Sequence, residues 1–252
     1  MPDQQTPIPA ATLVIFRERP NSAPELLMVE RAKAMVFAGG ALVFPGGRVD
    51  PGDHGLARTL GGEPDDTAAR IAAIRETIEE AGLPIGLAPP PPPDTLSALR
   101  QALHAGRPFA QALAEAKARL DLGQLIPFAR WLPAHAHMRI FDTRFYLARL
   151  PAGAPIASVD ETENVRLLWA TAAQVLADAD AGRVTIIYPT RRNLERLATF
   201  ESFDDAEAQA RTVPVRTITP FAENRDGVAH LCIPDDAGYP ITAEPMHDAM
   251  RG

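Results

Sequence analysis

The sequence predicts an α/β fold, on three observations. Short runs rich in β-branched and aromatic residues recur along the chain, as in ATLVIFRE at 11–18 and RIFDTRFYLARL at 139–150. Segments with the helical spacing of apolar residues alternate with them, most plainly at 65–81. The 252 residues suffice for one well-buried core with insertions, and no internal repeat or second domain boundary is evident. A single domain over 1–252 is expected.

Taken in order, 11–18 reads as a strand, 20–24 as a loop of Pro, Asn and Ser, and ELLMVER as a second strand. A loop from Lys33 to Gly40 follows. The stretch ALVFPGGRV (41–49) starts as a strand and turns at Pro45-Gly46-Gly47, where backbone without Cβ atoms can approach a ligand closely. Residues 54–64 read as an irregular excursion broken by Gly61, Gly62 and Pro64. Asp65, Asp66 or Thr67 then caps a helix that runs to Gly82, with Pro84 preventing its continuation.

That helix holds the chemistry. Glu76, Glu79 and Glu80 stand at i, i+3 and i+4 and share one face. Ile71, Ile74, Ile78 and Ala81 fall on the opposite face, built for a core. Arg75 is placed to bridge Glu79 four residues on. Like charges this close repel by about 1 kcal/mol per pair in water, more when partly buried. A hard divalent cation relieves that repulsion, and oxygen-only ligands point to Mg²⁺ or Mn²⁺. The alternative is a solvated acidic face.

The stretch Phe44–Leu83 resembles the box of the Nudix hydrolases: Gly47 supplies the opening glycine, Arg75-Glu76 and Glu79-Glu80 the acidic helix, Gly82-Leu83 its end. Asp53 stands where the pattern has Glu, and Thr77 replaces an aliphatic residue on what reads as an exposed flank. The 21 residues 54–74 separate Asp53 from Arg75 where the family has seven, which places an insertion of about 14 residues near 54–67. The interrupted box is similar to one branch of the family, which cleaves coenzyme A and its thioesters.

The resemblance implies an α/β/α sandwich with a mixed β-sheet. It also implies hydrolysis of a diphosphate linkage in a nucleoside diphosphate derivative, coenzyme A or acyl-CoA first, ADP-ribose or a dinucleotide as the alternative. A non-catalytic nucleotide-binding regulator is a third reading, against which the intact acidic triad speaks. Metal would be held by Glu76, Glu79 and Glu80 with the carbonyl of Gly46. Arg75 would orient the glutamates. A further Glu at or before a late strand is implied, and Glu161 and Glu163 are both candidates for it.

Further along, PIGLAPPPPP (84–93) reads as a stiff spacer, and 94–105 and 108–120 as two helices, so that 84–122 is a helical insertion that suits a homodimer contact. A strand resumes at Leu125. His135 and His137 form an H-x-H pair that lacks further ligands and reads as a solvated loop. In 139–150, Phe141, Thr143, Phe145 and Leu147 share one face, while Arg139 and Arg144 either bind phosphate or form surface pairs. DETENVRLLWAT (160–171) reads as the late strand, capped by Thr171 into a helix ending at Gly182. Thr190 is expected to cap the next helix, whose Arg191 and Arg192 either bind an anion or pair on the surface. A short helix (204–210) and strand-like pieces close the chain, with a turn at Asn224–Gly227.

The formal charge of −7 argues against a nucleic-acid partner and leaves room for a small phosphorylated ligand. Cys232 is alone, so no internal disulfide can form. No leader pattern, membrane span or peroxisomal ending is apparent, and a soluble cytoplasmic protein is expected.

Overall fold

The structure is a computed structural model and describes residues 6–35, 38–133, 140–159 and 164–249. The first strand, β1 (Ile8–Arg19), shows how one strand builds two cores. Its side chains alternate, so Ala11, Leu13 and Ile15 enter one apolar cluster while Val14 and Phe16 enter another. β2 (Ser22–Arg31) does the same, with Leu27 on the first face and Leu26 and Met28 on the second.

These strands sit in a mixed sheet. β3 (Leu42–Val43) pairs with β2, and β4 (Gly46–Arg48) with β1. β6 (Phe141–Arg149) runs parallel to β1, and β5 (Ile126–Trp131) lies antiparallel to β6. β7 (Asn164–Thr171) pairs with β2, and β8 (Thr217–Ile218) runs parallel to β5. A separate antiparallel sheet holds β9 (Phe221–Arg225), β10 (Val228–Cys232) and β11 (Ala243–Pro245), with the short α8 (Met246–Ala249) behind it.

Helices cover both faces. On the first lie α1 (Pro51–Leu60), α2 (Pro64–Ala81), α3 (Pro93–His104) and α4 (Phe109–Glu115). On the second lie α5 (Ala172–Asp180), α6 (Tyr188–Leu197) and α7 (Phe203–Thr212). The α/β/α sandwich with a mixed sheet is therefore observed. Ile71, Ile74 and Ile78 are fully buried, each contributing on the order of 2–3 kcal/mol. They orient α2 and leave its acidic side toward β4.

Several elements differ from the sequence expectations, each for a physical reason. The supposed excursion at 54–64 is mostly helix α1. Gly52 and Gly55 lower its intrinsic propensity, but Pro51 opens it, the Asp53 carboxylate accepts the Asp50 N–H at 2.9 Å, and Ala57 is buried. α2 is capped by Glu63, whose carboxylate accepts the N–H groups of Asp65 and Asp66; Asp65, Asp66 and Thr67 already lie inside the helix. Thr77 is fully buried with its hydroxyl unpartnered, so its flank faces the core.

The supposed spacer at 84–93 packs instead: Ile85 and Leu87 are buried, and its backbone pairs with 119–121 through Ala88 to Arg119 and Asp121 to Gly86. α4 is shorter than expected, since Lys117 takes a positive φ of 51°. The large apolar side chains of the insertion, Leu96, Leu99, Leu103, Phe109 and Leu113, join the same core as α2. Among the described residues no helix is long and apolar enough to cross a membrane.

Candidate active site

A cavity of about 520 Å³ opens beside the acidic side of α2. Its lining is chemically mixed. Glu76, Glu79 and Arg75 line it together with Gly46, Gly47 and Asp50. Phe44, Trp131, Phe141 and Phe145 supply aromatic lining, and the start of α6 contributes Ile187, Pro189 and Thr190.

Arg75 organises the charged wall. Its Nε and Nη2 donate to the two carboxylate oxygens of Asp53 at 3.2 and 2.9 Å, and Nη2 also donates to the Arg48 carbonyl at 2.9 Å. Nη1 donates to Glu76 at 2.8 Å and to Glu79 at 3.1 Å. One guanidinium thus joins β4, α1 and two turns of α2. Burial works against its charge, but the Asp53 hydrogen bond and the charges of Glu76, Asp53 and Glu79 hold its pKa above the ordinary arginine value. The expected bridge from Arg75 to Glu79 is present. Asp53, 1% exposed, keeps the reach it needs because α1 brings its backbone close.

Glu80 is buried behind this wall. Its carboxylate accepts the Gly46 N–H at 2.8 Å and the Asn164 side-chain amide at 2.9 Å. Burial, and then the charge of Glu76, push it up to about 8, while Asn164, Gly46 and the charge of Arg31 pull the other way. Gly47 lies against the Glu76 carboxylate and offers no side chain to displace it.

Among the described residues, no three carboxylate, histidine or cysteine side chains converge as placed into a metal cage. Arg75 draws Glu76 and Glu79 toward itself, and Gly46 and Asn164 hold Glu80. The donor chemistry nevertheless fits a hard divalent cation: all side-chain donors are oxygens, and Glu76 and Glu80 repel each other in a partly dry place.

The other expected site residues fare differently. Arg192 is 1% exposed and is held by Glu195 at 2.8 Å and Glu244 at 2.9 Å, over the ring of Tyr188. Arg191 pairs with Asp180 at 2.8 Å. Thr190 does not cap α6; Ile187 does, and Thr190 is buried within the first turn. The anion site expected at Arg191 and Arg192 is therefore replaced by ion pairs. Arg144 takes the surface-pair alternative, facing Asp66 at 3.6 Å and Glu63 at 3.9 Å. Arg139, Glu161, Glu163, His135 and His137 lie outside the described residues.

Arg31 and Arg48, unnoticed in the sequence, line the cavity. Arg31 ends β2 and Arg48 follows the Gly-Gly turn, positions that carried a usable signal once that turn was read as the floor of a site. Asn164 also went unnoticed; an asparagine opening an apolar strand was its trace.

A mixed sheet between two helix layers, with an arginine-organised acidic helix beside a Gly-Gly turn, defines a Nudix fold. A crystal structure of a NUDIX hydrolase from Alicyclobacillus acidocaldarius is similar over 82% of this chain and 97% of that one, with a TM-score of 0.68 and 28% identity. The family model described as the NUDT19 Nudix domain matches residues 56–197, more than half of the chain, and the chain belongs to that family. Proteins named acyl-coenzyme A diphosphatase NUDT19 are similar to it. The Homo sapiens protein is 27% identical over 93% of this chain and 77% of its own length. The Gallus gallus protein is 27% identical over 86% of this chain and 73% of its own.

Proposed function

We propose that the chain is a divalent-metal-dependent hydrolase that cleaves the diphosphate linkage of coenzyme A or an acyl-CoA. The observation that carries this reading is the mixed lining of the cavity of about 520 Å³: the carboxylates Glu76 and Glu79, with Glu80 held against Gly46, together with the aromatic side chains Phe44, Trp131, Phe141 and Phe145. A substrate with a diphosphate in the middle, a base at one end and a mostly neutral arm at the other matches that combination of charged and apolar lining. The similarity to acyl-CoA diphosphatases over most of the chain supports the same substrate class.

In this reading Glu76, Glu79 and Glu80, with the carbonyl of Gly46, hold Mg²⁺ or Mn²⁺. An ion held there would neutralise phosphate oxygens and lower the pKa of a bound water. Arg75 orients Glu76 and Glu79 and does not touch substrate. Asn164 and the Gly46 N–H aim the Glu80 carboxylate. Arg31 and Arg48 supply the cations for the substrate's phosphates, the task first expected of Arg191 and Arg192. Glu161 or Glu163, three and one positions before Asn164 in sequence, takes the proton from the attacking water.

The test is a mass-resolved assay of CoA, acyl-CoA, ADP-ribose, NADH and dinucleoside polyphosphates with Mg²⁺ or Mn²⁺. Release of 3′,5′-bisphosphoadenosine and a phosphopantetheine, abolished by EDTA, is expected. Efficient cleavage of ADP-ribose with CoA left intact would move the substrate assignment, and turnover insensitive to EDTA would overturn the metal.

A further inference from the structure

The end of α2 that carries Glu79 and Glu80 is closed from outside the helix. An α-helix leaves its last four carbonyls without intrahelical partners. Here all four are satisfied. The carbonyl of Ile78 accepts the Gly82 N–H at 3.0 Å, where Gly82 takes a φ of 65°. Those of Glu79 and Glu80 accept Nε and Nη2 of Arg100 at 2.8 and 3.2 Å. That of Ala81 accepts the Ser158 N–H at 3.1 Å.

Arg100 belongs to α3, in the insertion, and reaches further. Its Nη1 donates to the Ser158 hydroxyl at 2.7 Å and its Nη2 to the Ser158 carbonyl at 2.8 Å. One guanidinium therefore ties the insertion, the last turn of the acidic helix and the segment at Ser158 together. Its positive charge also sits at the negative end of the helix dipole. Leu96 and Leu99, buried on the same helix, hold α3 in place.

We infer that Arg100 is a positioning residue for the diphosphate-cleaving site, fixing the backbone from which Glu79 and Glu80 project. The inference rests on the function proposed above for its catalytic consequence, and on the hydrogen bonds alone for its structural one. It makes the insertion part of the site's scaffold.

The experiment compares Arg100→Ala, Arg100→Lys and Ser158→Ala with wild type. Mn²⁺ binding by paramagnetic resonance and amide exchange at Gly82 and Ser158 need no substrate; kcat and KM follow with whichever substrate the wild-type protein cleaves. For Arg100→Ala, exchange at both amides should quicken, and Mn²⁺ affinity and kcat should each fall about tenfold or more, the scale of losing an outer-shell partner, with KM held within about twofold. Millimolar guanidinium should restore much of the lost turnover, and Arg100→Lys should lie between. Ser158→Ala, which keeps both backbone contacts, should stay near wild type.

Unchanged exchange and Mn²⁺ affinity in a folded Arg100→Ala protein would overturn the inference. So would a loss that guanidinium fails to relieve and that raises KM as much as it lowers kcat. If Arg100→Ala does not fold, Arg100→Lys decides by the same readouts. Failure of wild type itself to bind Mn²⁺, with Gly82 and Ser158 still loosened in the variant, would sink the metal reading and leave the positioning of α2 standing.

Discussion

Helices α2 and α6 are both heavily charged, and they spend that charge in opposite ways. On α6 each cation is matched within the fold: Arg191 by Asp180, Arg192 by Glu195 and Glu244, Arg196 by the Phe128 carbonyl and Gln209. On α2 a single guanidinium serves Asp53, Glu76 and Glu79, while Glu80 stands behind them pushed up to about 8 by burial and by Glu76. The compensated helix packs against the sheet and holds the C-terminal segment through Glu244. The uncompensated one faces the cavity. Charge density does not separate the two; the partners that hold each charge do.

Breaking the central ion pair on each helix gives the largest effects. Arg75→Gln leaves Asp53 as an unpaired buried carboxylate and should cost about 3–5 kcal/mol of stability. Arg192→Gln should cost less, because Glu195 and Glu244 are only partly buried and Glu195, pushed up to about 7, can take a proton. Calorimetry checks both, and the comparison sharpens on metal binding: Arg75→Gln should weaken Mn²⁺ binding while Arg192→Gln leaves it alone. Equal weakening in both would erase the distinction drawn here.

Next comes Glu80→Gln, expected to cut turnover by roughly 10²-fold or more while melting stays cooperative. Asn164 can turn its amide to accept from the new side chain, so the fold keeps its hydrogen bonds. Near-wild-type turnover would remove Glu80 from the mechanism. A smaller effect is expected at Arg48, exposed on the cavity rim. Arg48→Gln should raise KM for CoA about tenfold, the scale of one charge-assisted hydrogen bond. Measured beside dephospho-CoA, a loss confined to CoA assigns Arg48 to the 3′-phosphate, and an equal loss to the diphosphate.

The smallest effect belongs to α6 and to pH. Burial, against the pull of Arg192, pushes Glu195 up to about 7 from an ordinary 4.5. A carboxyl raised in the folded state favours folding when protonated, so its contribution is full below about 4.5 and fades as pH rises through 7. Relative to Glu195→Gln, wild type should therefore lose melting temperature between pH 5 and 8. A constant offset across that range would show that Glu195 ionises normally.

The acidic helix was legible because its logic is local. Arg75, Glu76, Glu79 and Glu80 lie within two turns, and the apolar face of Ile71, Ile74 and Ile78 was correctly assigned to the core. What was hidden depended on distance in sequence. Asn164 meets Glu80 from 84 positions away, and Asp53 finds Arg75 only because α1 folds. α1 itself was hidden by its glycines, since tertiary contacts overrode propensity. Arg191 and Arg192 misled for the converse reason: Glu244, which neutralises Arg192, comes from the far end of the chain.

Gly47 offers a practical opening. Its missing side chain leaves the space the Glu76 carboxylate occupies, and that carboxylate, held by Arg75 at 2.8 Å, is the far end of a flexible chain. A single added methyl at Gly47 would meet the Glu76 side chain first and would evict the carboxylate without touching the core. If Glu76 holds the metal as proposed, such a protein would lose turnover while the rest of the cavity lining stays in place. Immobilised and passed over a cell extract, it becomes bait, and the molecules it retains would name the natural substrate directly.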